Sequence, residues 1–135
     1  ELRDIMPTLL DAANIDIPDT VEGKSVIPLA QGKEVEWRDY IHGEHFYGAE
    51  SFQYITDGKD KYIWYSQSGN EQYFDLEKDP QELHNLINDP NYEERIKTRR
   101  KQLIEELKDR EEGFSDGKTL IPGKRAKPTL DHILK

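Results

Sequence analysis

His42-Gly43-Glu44-His45 places two imidazoles and a carboxylate within four consecutive residues. Such groups can ligate zinc, and a catalytic zinc needs three convergent ligands and an open fourth position. They can equally hold the polar part of a substrate, or stand as ordinary polar residues of a strand. On a strand, His42 and Glu44 share one face while His45 points to the other. A helical zinc motif needs histidines one turn apart, but here the two are three residues apart with Gly43 between them. No metal ligand is assigned. Neither a glycine-rich phosphate loop nor the nucleophile elbow of serine hydrolases is present. Ser25, Ser51, Ser66, Ser68 and Ser115 have no histidine close by in sequence; His84 reads as a solvent-exposed or capping residue and His132 as a polar surface residue. Trp37, Phe46, Tyr47, Tyr54, Tyr62, Trp64, Tyr65, Tyr73 and Phe74 offer rings that could stack on sugars or bases. The same residue types in strands also make a core.

The elements that must position these groups are readable from spacing. Asp4 to Asn14 reads as a short helix, with Asp4 as its cap, Pro7 in its first turn and Asn14 suited to a left-handed end. An irregular helical turn is expected around Pro28. Trp37 to His45, Ser51 to Thr56, Lys61 to Ser66 and Gln72 to Leu76 read as strands, punctuated by Asp57-Gly58 and Ser68-Gly69. Asp79-Pro80, with Glu82 as a capping-box partner, predicts a helix carrying Leu83, Leu86 and Ile87 on its apolar face. Asp89-Pro90 repeats that signal and opens a longer helix to Glu112, striped by Tyr92, Ile96, Leu103 and Leu107 and closed by Gly113. The expected fold is α+β: an antiparallel sheet of about four strands packed by a long C-terminal helix.

Composition bounds the function. The 135 residues are 34% hydrophobic and 35% charged, enough apolar material for one thin layered domain. Cysteine is absent, which excludes a disulfide, a thiolate metal site and a cysteine nucleophile within this stretch. No run approaches the roughly 20 apolar residues of a membrane span. Glu1 in place of Met predicts a piece of a longer chain. The net charge of −9 is uneven: residues 1–94 hold 7 Lys and Arg against 21 Asp and Glu, and residues 95–135 hold 12 against 7. An acidic body argues against a broad nucleic-acid surface.

Three stretches carry a family resemblance. Asp4-Ile-Met-Pro-Thr-Leu-Leu-Asp-Ala-Ala-Asn-Ile15, with Glu22-Gly-Lys-Ser25 after it, resembles the segment closing the main domain of sulfatases. Asp57-Gly-Lys-Asp-Lys-Tyr-Ile63 resembles a strand pair of the same family. Glu71-Gln-Tyr-Phe-Asp-Leu-Glu-Lys-Asp-Pro-Gln-Glu-Leu-His-Asn-Leu86 is similar to its C-terminal signature. The resemblance implies the C-terminal subdomain of an alkaline-phosphatase-like sulfatase of the arylsulfatase or choline-sulfatase type. Residues 1–36 would end the main domain, 37–113 form the sheet-and-helix subdomain, and 114–135 an extended basic tail.

The catalytic domain would lie in cis, on the N-terminal side, and the whole enzyme would use formylglycine and calcium on a sulfate ester. The motif that yields formylglycine and the paired acidic residues that bind calcium are missing from this sequence, so no catalytic or metal residue carries over. The resemblance leaves His42, Glu44 and His45 as candidates to touch the non-sulfate part of the substrate. A carbohydrate- or anion-binding module, or a piece of a related phosphonate or phosphodiester hydrolase, are the alternative readings. The opening helix is expected to expose Leu2, Ile5, Leu9 and Leu10 as a former interdomain face.

Overall fold

Residues 1–46 and 48–125 are described here, from a computed structural model. They fall into two units, Glu1–Asp39 and one beginning at Tyr40. Tyr47, His132 and the rest of the chain from residue 126 lie outside the described residues.

In the first unit, a 3-10 turn over Leu2–Asp4 leads into α1 (Ile5–Ala12), and Asn14 closes it at φ 58 as its type allows. α2 (Ile27–Ala30) is the single turn built around Pro28. Asp4 does not cap α1 through its side chain. Its carboxylate is buried and engaged elsewhere, accepting from Arg38 Nη1 and Nη2 (2.7 and 2.6 Å) and from the Lys24 amide (3.0 Å). The Arg38 guanidinium holds this carboxyl well below the usual carboxylate range. One face of α1 stays open: Leu2, Ile5, Met6 and Leu9 are exposed, whereas Leu10, expected with them, is half-buried.

The second unit is an antiparallel meander with a helix on one side. β1 (Ile41–His45), β2 (Phe52–Thr56), β3 (Asp60–Tyr65) and β4 (Glu71–Asp75) lie in the order β1-β2-β3-β4. The strand expected from Trp37 starts only at Ile41, because Trp37 and Arg38 belong to the first unit, where Arg38 serves Asp4 and lies over the Trp37 ring. Gly58, at φ 85, makes the tight β2–β3 turn that a side chain would strain.

Pairing of Gln53 with Trp64, Ile55 with Tyr62, and Tyr62 with Tyr73 puts these residues on one face. On it packs α3 (Glu93–Leu107) through Ile96, Leu103 and Leu107, which are buried with Ile55, Tyr62, Trp64, Tyr73 and Phe114. The start of α3 follows the sequence signal: Asp89 Oδ1 accepts from the Asn91 amide (2.9 Å) and Pro90 opens a 3-10 turn ahead of the helix. Its regular part ends at Leu107 rather than Glu112. Phe114 lies edge-on to Trp64 at 6.0 Å and is fully buried, so the residues after Gly113 add to the core.

The helix expected after Asp79-Pro80 is not formed. Glu82 sits at φ 56, Leu83 is exposed, and Glu82 reaches Lys61 (3.0 Å) rather than a backbone amide. The open edge of β4 explains this. Both backbone groups of Tyr73 are met from this segment, the amide by Asn85 Oδ1 (3.0 Å) and the carbonyl by the Leu86 amide (2.8 Å). A helix of so few residues cannot repay its nucleation, whereas an unpaired strand edge offers partners at once.

Candidate functional site

The candidate residues sit on β1, an edge strand paired only with β2. Alternation divides them as expected. His42 and Glu44 face α3's side of the sheet, opposite Ile55 and Gln53, and His45 lies on the other side with its ring 5.3 Å from Phe52. His42 Nε2 meets Gln53 Oε1 at 2.8 Å, and Glu44 pairs with Arg110 at 2.8 Å. Arg110 also holds Glu112 (3.1 Å), so Glu44 is tied to the end of the helix segment. The structure therefore brings His42 and Glu44 to one side and leaves His45 apart. Gln53 Nε2 is buried without a hydrogen-bond partner among the described residues.

Glycine at position 43 shapes the opposite face. A Cβ there would fall 2.2 Å from the Tyr54 ring, so the missing side chain is what lets that ring lie across the strand. Phe52 then bridges Tyr54 (6.4 Å) and Tyr65 (5.9 Å), and Lys61 Nζ sits 5.2 Å over Tyr54. His45, Phe52, Tyr54 and Tyr65 thus form a continuous, partly exposed aromatic row.

The strongest electrostatic feature lies elsewhere. Asp60, fully buried, accepts from Arg99 Nε (2.5 Å), Arg95 Nε (3.1 Å) and the Tyr73 hydroxyl (2.8 Å). Asp57 also pairs with Arg99, and Arg100 chelates Glu71 (2.9 and 2.5 Å), which accepts from the Tyr62 hydroxyl (2.7 Å). The sequence held one sign of this: Arg99 falls within the apolar stripe between Ile96 and Leu103.

Among the described residues, no group of three or more His, Asp or Glu side chains is placed to hold a metal ion. The chain has neither a cysteine nor a serine followed by x-Pro-Ser-Arg to become formylglycine. Its donor set does not fit the two groups that the sulfatase resemblance implies, and no step is assigned to them here.

The family model described as "N-sulphoglucosamine sulphohydrolase, C-terminal" matches residues 2–110. The chain belongs to this sulfatase family. It is 59% identical over 133 residues to an arylsulfatase of Clostridium perfringens, covering 98% of this chain and 27% of that protein. A solved 2-O GAG sulfatase superposes with a TM-score of 0.72 at 25% identity, over 97% of this chain and 32% of that one. The phosphonate monoester hydrolase of Agrobacterium radiobacter gives 0.63 at 28% identity, over 76% of this chain and 23% of its own. The chain spans only about a quarter to a third of these sulfatase relatives. The four-stranded antiparallel sheet with its helix is the fold expected of a sulfatase C-terminal subdomain.

Proposed function

We propose that this chain completes a sulfuric-ester hydrolase whose catalytic domain lies in cis on its N-terminal side. The observation that carries the reading is the family match over residues 2–110 in a chain spanning 27% of its Clostridium relative. In this reading residues 1–36 end the main domain, and the open face of Leu2, Ile5, Met6 and Leu9 packs against the rest of it. The sheet and α3 from Tyr40 onward, with Phe114 in their core, form the subdomain. Formylglycine and calcium belong to the part of the enzyme outside this chain. Glu44 and His45, at the exposed end of edge strand β1, contact the part of the substrate beyond the sulfate, with His42 holding the strand through Gln53.

The test compares this chain with the longer protein that carries it, on 4-nitrophenyl sulfate with and without calcium. The chain alone is expected to give no hydrolysis above background, and the longer protein to turn the ester over. A phosphonate monoester in the same assay separates a sulfatase from a phosphonate hydrolase. In the longer protein, His45→Ala is expected to raise KM about tenfold with kcat little changed, as loss of uniform binding does. Calcium-dependent turnover by the pure chain would overturn the first expectation. An unmoved KM for both His45→Ala and Glu44→Gln would overturn the second.

A further inference from the structure

Beyond the ester-hydrolysis reading, a second site is built where the β3–β4 hairpin meets the segment that seals the edge of β4. A groove of about 600 Å³ opens there, lined by Glu50, Tyr65, Asn70, Gln72, Asn85 and Asn88 among others. We propose that this groove binds an uncharged, hydroxyl-rich saccharide unit.

The chemistry of the lining selects that ligand. Four side-chain carboxamides converge on the groove, and a carboxamide presents a donor and an acceptor together, the pairing that vicinal hydroxyls require. Much of their capacity is unused by the protein. Asn70 and Asn88 make no side-chain hydrogen bond with a described residue. Gln72 accepts from the Tyr65 hydroxyl (3.2 Å), which leaves its NH2 group open. Asn85 places its oxygen on the Tyr73 and Ile87 amides (3.0 and 3.1 Å), so its NH2 group is likewise available and its orientation is set. The Asn70 backbone is also fixed, its carbonyl accepting from Tyr65 (2.8 Å) and its amide donating to Ser68 Oγ (3.2 Å). The Gln72 and Asn85 donors are thus held before any ligand arrives, which lowers the ordering cost of binding.

Tyr65 supplies the apolar part, a half-buried ring continuous with Phe52 at 5.9 Å, against which the C–H face of a sugar can rest. Charge then decides between neutral and anionic sugars. Glu71 is neutralised by Arg100 (2.5 Å), and Glu50 has no partner among the described residues. Among the described residues, no Lys or Arg lines the groove. A sulfate or uronate in it would face an unneutralised carboxylate with no counter-charge from the described lining, so the groove disfavours anionic sugars.

The experiment is a 1H–15N NMR titration of this chain with cellotriose and maltotriose, with a sulfated derivative of each, and with an uncharged tripeptide. At least one neutral trisaccharide is expected to shift the side-chain amides of Asn70, Gln72, Asn85 and Asn88 in the millimolar range. Its sulfated derivative should bind about tenfold more weakly, and Glu50→Lys should narrow that gap. Asn70→Ala and Asn88→Ala, at exposed positions, should each weaken binding severalfold while leaving the rest of the spectrum in place.

The proposal fails if saturating neutral trisaccharides leave these amides unmoved. It also fails if the sulfated forms bind as well, or if the tripeptide shifts the same amides as strongly. The readout is binding to this chain alone, so its failure would leave the ester-hydrolysis reading untouched, and the reverse holds too.

Discussion

Asp60→Ala is expected to cost the sheet-and-helix unit about 3–5 kcal/mol, as breaking a buried ion pair from one side does. That is a large share of the roughly 5–15 kcal/mol that holds a domain together. Asp60 opens β3 with no solvent exposure and receives Arg99, Arg95 and the Tyr73 hydroxyl. Removing its carboxylate strands Arg99, which is 9% exposed, against the sheet with only Asp57 and Gln102 for partners. Burial opposes the charge on Asp57, but the Lys59 and Asp60 amides and Arg99 together hold its carboxyl below the ordinary range. Asp57 can therefore take part of the load. Arg95 matters less, since its side chain is 43% exposed and its pairing is screened by water.

Asp60→Asn keeps the shape and the Tyr73 bond, and should lose about half as much. Urea denaturation at pH 7 reads both, with an unchanged slope showing that the unfolded state is the same. A loss below about 1 kcal/mol for Asp60→Ala would mean that Arg99 swings out to water, and the network would then be peripheral to stability.

Above pH 10 the same unit is expected to weaken steeply. Burial raises the Tyr62 phenol, and the carboxylate of Glu71 beside it raises it further. Tyr73 is raised by burial and then by Asp60. Both lie well above the value of 10.0 they have when unfolded. Their contribution is therefore fully present below pH 10, and is lost as pH climbs and only the unfolded chain releases the protons. Each tyrosine removes about 1.4 kcal/mol per pH unit in that window, so the pair removes roughly 5 kcal/mol by pH 12. Urea midpoints at pH 9, 10, 11 and 12 give the slope. Tyr62→Phe and Tyr73→Phe should each flatten it by about half. A double variant with the slope of the parent would sink the argument.

Most of the second unit could be read in the chain itself. Asp57-Gly58 and Ser68-Gly69 separate aromatic-rich runs, and the strands fall within a residue or two of the expected positions apart from the late start of β1. The two Asp-Pro signals show where such reading stops. Asp89-Pro90 starts a helix and Asp79-Pro80 does not, and the difference lies in the unpaired edge of β4, a three-dimensional fact. Spacing pairs Asp4 with its nearest amides, but its partner Arg38 lies 34 residues away. The split of His42 and Glu44 from His45 followed from the two-residue period of a strand, whereas Arg110 as the partner of Glu44 did not. The groove was illegible for the same reason. Its carboxamides come from β4, the β3–β4 turn and the 85–88 segment, and no spacing in sequence links them.

The nearest-neighbour order of the four strands also bears on how the unit forms. Every ladder joins runs adjacent in sequence, so loop closure costs little and the hairpins can form on the microsecond scale. The contacts that bring α3 onto the sheet span far more of the chain, such as Arg99 with Asp60, 39 residues apart, and Glu106 with Tyr40, 66 apart. Substitutions in the β2–β3 turn should thus alter the folding rate, while those at the α3 contacts should act chiefly on unfolding. The sheet would assemble first as a template, and the arginines of α3 would lock it afterwards.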